Sequence, residues 1–413
     1  MIVPPPAKGT KGDETTIAWI RDRFRRHYEA AEMGLPPRFA RREFGFMFWE
    51  AGMMQRHQSF KSGEAVRDFL VRRTPMHVYY SSAYYEKPGA PTMEEKGWLG
   101  ADLVFDLDAD HILRVKGMPY EVMLEEVKSE VAKIVDQYLL TDFGFDDDAI
   151  LITFSGGRGY HIHVRDPRVW ELHSHERREI VDYITGTELD AEHLFRRVPM
   201  ELRKFQDTAT MKYRFVMPKP NDPGWPGRLA RGIVDAAERF EGMPREDAVR
   251  ELSAVEGVGK KMAGEILDAL FVRAGGVRGI DKLRRGDMDI FPGNKHLEAF
   301  RKIFVPPAID LGSRETDEPV TSDIKRLIRM PHTLHGKTGL AVVPMNRAAL
   351  DGFVPLRDAV PKAWTEESVK ASLRAGIKLT MRDETFNLKE GLNLLPEFLA
   401  VFLACRGVAS IAA

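Results

Sequence analysis

The amino-acid sequence predicts an α+β fold in which mixed β-sheets are flanked by helices and a helical domain is inserted into the chain. Strand-like apolar patterns recur at residues 77–85, 99–108 and 149–155. Segment 120–139 between them has the periodicity of a helix, an alternation that is typical of α/β or α+β proteins. From about 168 to 300 the sequence changes to charged helical periodicity, and β-type sequence returns near 314–345.

These changes divide the chain into a core and an insertion. We predict a core formed by residues 1–180 and 300–413, with a helical insertion at 181–299. A loop rich in proline and glycine at 216–227 lies within the insertion. Amphipathic helix 14–32 begins the core, and the apolar segment 398–405 predicts a buried helix at its end.

Composition limits the kind of protein. The chain has 413 residues, 43% of them hydrophobic, and a net charge of -1, so it can bury a large core but has no overall basic field for nucleic acid. Its single cysteine, Cys405, excludes an internal disulfide and any metal site built from several cysteines. No apolar leader follows the N-terminus, and segment 398–405 is too short to span a bilayer. We therefore expect a cytoplasmic protein with no membrane partner.

Segment 102–111, DLVFDLDADH, combines four aspartates with the alternation of a buried strand. Because side chains alternate across a strand, its large apolar residues are expected on the core face and Asp102, Asp106, Asp108 and Asp110 on the other. Asp106 and Asp108 would lie roughly 6–7 Å apart along the strand. Two carboxylates at this spacing can converge on a pair of divalent cations. A solvated acidic face is the alternative.

Segment 155–164, SGGRGYHIHV, predicts a glycine-rich hairpin turn that follows strand 149–155. Ser155, Arg158 and the histidines of the second strand are residue types that bind a phosphate chain through charge-assisted and hydroxyl hydrogen bonds. An ordinary polar hairpin is the alternative.

Segment 316–339, TDEPVTSDIKRLIRMPHTLHGKTG, combines Asp317 with a cationic, helix-like run at 325–329 and a loop that contains His335 and Lys337. The loop is not a nucleotide-binding P-loop, because Pro331 stands where that motif requires glycine. The alternative is a cationic surface helix followed by a turn.

Together, and in this order and spacing, the three segments resemble the small catalytic subunit of archaeal and eukaryotic DNA primases. The resemblance covers the chain outside the insertion and includes RREFGF at 41–46 and QRHQSF at 55–60. It implies the archaeo-eukaryotic primase catalytic core. It also implies template-dependent synthesis of short primers from nucleoside triphosphates, by two-metal nucleotidyl transfer, during DNA replication.

The resemblance assigns a role to each matched residue. Asp106, Asp108 and Asp317 match the catalytic aspartates that bind the metal ions. The residues that match those holding the triphosphate of the incoming nucleotide are Arg56, Ser155, Arg158, His161, His335 and Lys337.

Cofactors and partners follow from the same resemblance. Two Mg²⁺ or Mn²⁺ ions are expected, since hard cations prefer carboxylate oxygens. The expected partners are a DNA template, nucleoside triphosphates and a large primase subunit in a heterodimer. Many family members also have a zinc site built largely from cysteine, but residues 109–154 contain no cysteine and only one histidine, His111. This argues against a structural zinc.

Segment 252–270, LSAVEGVGKKMAGEILDAL, fits a helix-hairpin-helix pattern. Gly257 and Gly259 form the turn, and Lys260 and Lys261 open the second helix. Backbone N–H groups at such a helix start, together with the lysines, are suited to a DNA phosphate. A hairpin that only packs the insertion is the alternative.

Two other functions fit part of the sequence. The stretch FDLDAD resembles the first motif of haloacid-dehalogenase-like phosphatases, but Asp110 stands where that family has threonine or valine. A non-catalytic DNA-binding module would use segment 252–270, yet it leaves Arg158, His161 and Lys337 unexplained.

Overall fold

The computed structural model of the chain describes residues 14–49, 52–110, 112, 117–205, 208–273, 275–291, 293–310 and 318–412. The chain folds into two compact units, one formed by residues 1–181 and 315–413 and the other by residues 182–314. The predicted end of the insertion at residue 299 falls inside a helix that spans Asn294–Asp310. The second unit therefore extends further than the sequence pattern indicates.

Helices and strands alternate irregularly along the described residues. The helices are α1 Glu14–Ala30, α2 Gly63–Arg73, α3 Met93–Lys96, α4 Tyr120–Lys133, α5 Ser174–Thr185, α6 Gly224–Glu238, α7 Arg245–Leu252, α8 Lys260–Phe271, α9 Gly279–Leu283, α10 Asn294–Asp310, α11 Glu318–Ser322, α12 Arg347–Leu350, α13 Pro355–Asp358 and α14 Glu397–Cys405. The strands are β1 Phe44–Met47, β2 Gln55–Gln58, β3 His77–Ser81, β4 Ala83–Tyr85, β5 Trp98–Ala101, β6 Leu103–Asp108, β7 Ile150–Phe154, β8 Gly159–Val164, β9 Arg196–Phe205, β10 Thr208–Val216, β11 Leu327–Arg329, β12 Val343–Met345, β13 Ser368–Leu373, β14 Ile377–Met381, β15 Glu384–Leu388, β16 Gly391–Pro396 and β17 Ala409–Ile411.

Two four-stranded antiparallel sheets form the centre of the first unit. One has the order β12-β7-β8-β6 and the other the order β11-β3-β1-β2. Smaller antiparallel ladders and helices surround them, which confirms the α+β class. Helix α14 is apolar and buried along its length, as predicted for segment 398–405, and it contacts α1.

The predicted strand 99–108 is two strands, β5 and β6, separated by Asp102. Asp102 does not share the acidic face of β6 as its alternation predicts. Its carboxylate is fully buried, lies 2.6 Å from a guanidinium nitrogen of Arg42 and accepts a hydrogen bond of 2.5 Å from the hydroxyl of Tyr84. Arg42 also donates to the backbone carbonyls of Ser81 and Ser82, so the buried pair links the segment before β1 to the end of β3 and to the residue between β5 and β6.

The cationic run at 325–329 is also not helical. Residues Leu327–Arg329 form strand β11, which pairs antiparallel with β3, with Ile328 opposite Tyr80. Helix α11 ends at Ser322, before the run begins. Pairing with β3 supplies the backbone hydrogen bonds, and it takes precedence over the weak helical pattern of a short segment.

The second unit is mostly helical, with its own core. Helices α6, α8 and α10 contribute buried side chains such as Leu229, Ile266 and Phe300 to one apolar cluster. This unit also contains a two-stranded ribbon, β9 and β10, which the sequence pattern does not predict. None of the helices in the described part of the chain is long and apolar enough to cross a membrane.

Loss of the buried ion pair should destabilise the first unit strongly. Replacing Asp102 by asparagine leaves the Arg42 guanidinium buried without its counter-charge, which costs about 3–5 kcal/mol of unfolding free energy. Denaturant unfolding of Asp102→Asn measures this loss. The control is Glu366→Gln, which breaks the exposed pair with Arg382 and should leave the unfolding free energy nearly unchanged. Equal stability of the two variants would contradict the assignment.

Candidate active site

One cavity of about 920 Å³ in the first unit is lined by residues from both four-stranded sheets and from the loops beside them. It brings together most of the predicted site residues, although they lie far apart in sequence. These are Asp106, Asp108, Ser155, Arg158, His161, His335 and Lys337.

Strand β6 holds the two carboxylates at the cavity wall. Leu103, Phe105 and Leu107 are fully buried on its other face, which fixes the strand in the core. The side chains of Asp106 and Asp108 are 25% and 33% exposed, so both carboxylates are accessible from the cavity. The predicted alternation is therefore confirmed for this pair.

Asp108 lies in an electrostatic environment that disfavours its negative charge. Burial raises the pKa of the Asp108 carboxyl, and the nearby carboxylates of Asp110 and Asp106 act in the same direction. The N–H of Asp110 donates to Asp108 at 3.0 Å, and Arg158 lies 3.9 Å away; both oppose the shift without cancelling it. A divalent cation at these hard oxygen donors would compensate the charge, so the residues fit a metal ion.

The glycine-rich turn between β7 and β8 is held in place by its neighbours. Gly156 has a φ of +76°, and a Cβ there would lie 2.7 Å from that of His335, so only glycine fits without strain. The hydroxyl of Thr338 donates to the carbonyl of Gly156 at 2.5 Å, and the hydroxyl of Tyr120 donates to that of Gly157. The turn presents Arg158, which pairs with Asp110.

Three histidines near the cavity are neutral at physiological pH. Burial is the main cause in each case, and Arg329 adds to it: the pKa of His161 falls to about 3, and those of His77 and His335 fall well below the usual value. The Nε2 of His161 is 3.5 Å from Asp106, and this contact is therefore not an ion pair. These three rings therefore add no positive charge to the cavity at neutral pH.

The hydrogen bonds of His335 fix its tautomer. Its Nδ1 is 3.1 Å from the hydroxyl oxygen of Thr338, whose only proton is directed to the Gly156 carbonyl. Nδ1 must therefore carry the hydrogen and donate, which leaves Nε2 as an acceptor in the neutral ring.

The positive charge at the cavity comes from arginine and lysine. Beyond Arg158 and Lys337, the wall includes Arg326 and Arg329, which precede and end β11, and Arg406, which follows α14. Arg329 is 2.7 Å from Nδ1 of His77. Five cationic side chains therefore line a cavity that also contains the carboxylates of Asp106, Asp108 and Asp110.

Sequence patterns do not indicate Tyr120 and Arg406 as site residues. The Arg406 guanidinium lies 5.2 Å from the ring centre of Tyr120, and Tyr120 holds the turn through Gly157. Both residues also line the cavity. They reach it only through tertiary packing of α4 against the end of α14, for which a single sequence carries no local signal.

Arg56 is not among the described residues that line the cavity. Its guanidinium forms two hydrogen bonds with the buried carboxylate of Glu43, at 3.0 and 3.2 Å. The ammonium of Lys96 is 2.5 Å from the same carboxylate. The predicted contact of Arg56 with a nucleotide stays a prediction.

Asp317 and His111 lie outside the described residues. Within the parts of the chain that are described, no group of three or more histidine, cysteine, aspartate or glutamate residues is arranged to hold a metal ion. His163 is buried beneath the site, with its ring stacked on Tyr80 at 6.1 Å.

The predicted hairpin of the second unit has the expected backbone. Helices α7 and α8 are joined through residues 253–259, where Gly257 has a φ of +81° and Val258 is buried. Gly259 is the N-cap of α8 and provides no side-chain cap, and the exposed lysines 260 and 261 begin the helix. Backbone N–H groups at this helix start are thus open to a ligand.

Comparison with known proteins gives consistent matches. The family described as DNA primase small subunit matches residues 105–347. Three curated relatives, each named DNA primase small subunit PriS, are similar over nearly the whole chain. That of Methanothrix thermoacetophila is 41% identical over 407 residues, 97% of this chain and 100% of the relative. Those of Methanocella arvoryzae and Halobacterium salinarum are 40% and 39% identical, over 96% of this chain and 99% and 98% of the relatives.

The buried histidines should make the first unit sensitive to acid. The pKa of His335 is lowered in the folded state. Its neutral ring therefore contributes fully to stability at a pH above the unfolded-state pKa of about 6.5, and this contribution is lost as the pH falls below about 6.5. Thermal or denaturant unfolding measured below about pH 6.5 tests this. With each unit of decreasing pH, the unfolding free energy of His335→Gln should fall by about 1.4 kcal/mol less than that of the parent protein. The control is His175→Gln, since His175 is 80% exposed. An unchanged slope for His335→Gln would contradict the burial argument.

Proposed function

The chain belongs to the DNA primase small subunit family, and we propose that it is the catalytic subunit, which synthesises short primers on a DNA template from nucleoside triphosphates. The observation that carries this proposal is the convergence of Asp106 and Asp108 with Arg158 and Lys337 in one cavity. Paired carboxylates beside fixed cations suit nucleotidyl transfer. Family membership does not fit a phosphatase or a non-catalytic DNA-binding module.

Divalent metal dependence is general in this family, and we assign two Mg²⁺ or Mn²⁺ ions to Asp106, Asp108 and Asp317. Held by these carboxylates, the ions would supply activation of the attacking 3′-hydroxyl and neutralisation of charge on the leaving pyrophosphate. Asp317 is assigned as the third ligand by its match to the family pattern. A structural zinc forms no part of the proposal.

The cations of the cavity bind and orient the triphosphate. Arg158 and Lys337 are the principal anchors, Ser155 contributes a hydroxyl, and Tyr120 keeps the turn rigid. A triphosphate has enough negative charge to compete with Asp110 for Arg158, so we expect this ion pair to exchange when the nucleotide binds. Such positioning of the α-phosphate for in-line attack lowers the barrier without a protein general base.

The histidines contribute differently. The neutral ring of His161 has its Nε2 3.5 Å from Asp106, and we assign to it the orientation of that carboxylate. His335 presents an acceptor at Nε2, so it can bind a phosphate oxygen only when that nitrogen is protonated. Binding of a triphosphate oxygen at His335 therefore requires either a change of tautomer or the uptake of a proton.

The template and the partner subunit complete the proposal. The hairpin around Gly257 and Gly259, with Lys260 and Lys261, binds template phosphates. A large primase subunit forms a heterodimer with this chain in the cytoplasm. Arg56 is assigned to the nucleotide as in the family pattern, and its hydrogen bonds to Glu43 fix the position of its guanidinium on β2.

The carboxylate pair gives the direct test. Asp106→Asn and Asp108→Asn should each reduce incorporation of labelled nucleotides on a DNA template to background, because the amide cannot replace the charge that binds the ions. Circular dichroism and thermal melting should show an intact fold. The control is Asp351→Asn, an exposed aspartate of the same unit that pairs with Arg347. Retained synthesis by either variant, or synthesis by the parent protein in the presence of a strong chelator, would refute the mechanism.

A further inference from the structure

The second unit contains a cationic surface that the reaction described above does not use. A cleft of about 520 Å³ is lined by Lys219, Arg231, Arg284 and Arg285, with Asp235 and Glu238 as its carboxylates. Arg284 is neutralised by Glu238 at 2.6 Å and by Asp281 at 2.8 Å. The cleft therefore keeps a net positive charge.

Three of its cations have side chains available to a ligand. Lys219, Arg231 and Arg285 are exposed, and no carboxylate of the described residues lies within ion-pair distance of them. Arg231 donates to the carbonyl of Pro220, and Arg285 donates to that of Asp281 at 3.0 Å. These bonds to backbone orient the two guanidinium groups without placing either in an ion pair, although Asp281 lies near enough to Arg285 to interact with its charge, so the cleft suits phosphate groups.

The β9–β10 ribbon joins this cleft through its base. Phe215 and Met217 form backbone hydrogen bonds with Met288 and Gly286, at 3.2 and 2.9 Å. Arg285 is adjacent to Gly286, and Lys219 follows Met217 by two residues. The base of the ribbon is thus joined to the two chain segments that carry Lys219 and Arg285.

The ribbon base carries an exposed aromatic side chain among arginines. Tyr213 is 46% exposed, and the Arg197 guanidinium lies 4.7 Å from its ring centre. Arg214, the next residue, is also exposed. Exposed aromatic rings stack on unpaired bases, whereas the bases of a duplex are already stacked.

From these features we propose that the ribbon–cleft surface, formed by Arg197, Tyr213, Arg214, Lys219, Arg231 and Arg285, binds single-stranded DNA. The cleft cations bind successive phosphates, and Tyr213 stacks on a base. Binding of this kind is tolerant of base sequence, as a template strand requires. The inference rests on the proposed function, because it takes the bound strand to be the template. It is separate from the hairpin at Gly257, which lies on other helices.

Salt-dependent binding of the full chain to a labelled oligothymidylate, followed by fluorescence anisotropy, tests the surface. Replacing Lys219, Arg231 and Arg285 together by glutamine should weaken binding and lower the slope of log K against log salt by about 2, at about 0.7 per phosphate contact. Tyr213→Ala should weaken binding about tenfold with little change of slope. The control is Arg239→Gln, an exposed arginine of the same unit paired with Glu251, which should bind as the parent does. If the triple variant folds poorly, Arg285→Gln alone should lower the slope by about 0.7.

Other outcomes would overturn the assignment. An unchanged slope in the triple variant, with the loss confined to Lys260→Gln/Lys261→Gln, would assign binding to the hairpin. If the triple variant lost binding to duplex DNA but not to single-stranded DNA, single-stranded DNA would be excluded as the ligand.

Nucleotide incorporation separates this inference from the proposed function. The triple variant should show a raised KM for template with kcat retained. Asp106→Asn should bind the oligonucleotide normally and should not incorporate nucleotides. A triple variant with unchanged KM would contradict the inference even if the parent is an active primase.

Discussion

The antiparallel pairing of β6 with β8 is the interaction on which the rest of the site depends. In this register Asp106 is opposite His161 and Asp108 is opposite Gly159, so the carboxylates and the glycine-rich turn are fixed relative to each other by backbone hydrogen bonds. Buried Phe105 and Ile162 keep the pair in the core. A slip of one residue would turn the aspartates into the core, which burial of charge makes very costly.

The cavity holds opposite charges in a partly buried space. Carboxylates on β6 and cations on the turn, on β11 and after α14 line the same walls, while the histidines between them are kept neutral by burial. Burial also raises the pKa of Asp108. The ionised Asp108 carboxylate is therefore electrostatically unfavourable in the protein alone, and metal ions with a triphosphate would offset the charges of the carboxylates and of the cations. The charges that line the cavity therefore favour binding of metal ions and a triphosphate.

The sequence predicted those site residues whose positions depend on strand alternation or on a turn. Alternation along β6 and the glycines before β8 were sufficient to place Asp106, Asp108 and Arg158, and the three-segment resemblance predicted their convergence with Lys337. Asp102 was placed on the wrong face because alternation cannot reveal a buried partner sixty residues earlier in the chain, Arg42. Strand β11 was missed for the same reason, since pairing with the distant strand β3, rather than propensity, determines its structure. The β9–β10 ribbon is a local pair of strands, and the interpretation of residues 168–300 as helical was wrong there. Contacts such as that of Arg406 with Tyr120 exist only in the folded chain.

Close approach of β8 to β6 is the central claim, and Gly159 offers its most direct test. A Cβ at this position would meet the carbonyl oxygen of Leu107 and lie 3.0 Å from the Cα of Asp108. The measurement is the rate of template-dependent nucleotide incorporation by Gly159→Ala per folded molecule, compared with Gly352→Ala, where a Cβ has no neighbour within 4 Å. The account predicts that Gly159→Ala loses at least about tenfold in rate, as expected for a displacement of about 1 Å at a catalytic group, while Gly352→Ala keeps the parent rate. Equal rates for the two variants would contradict it.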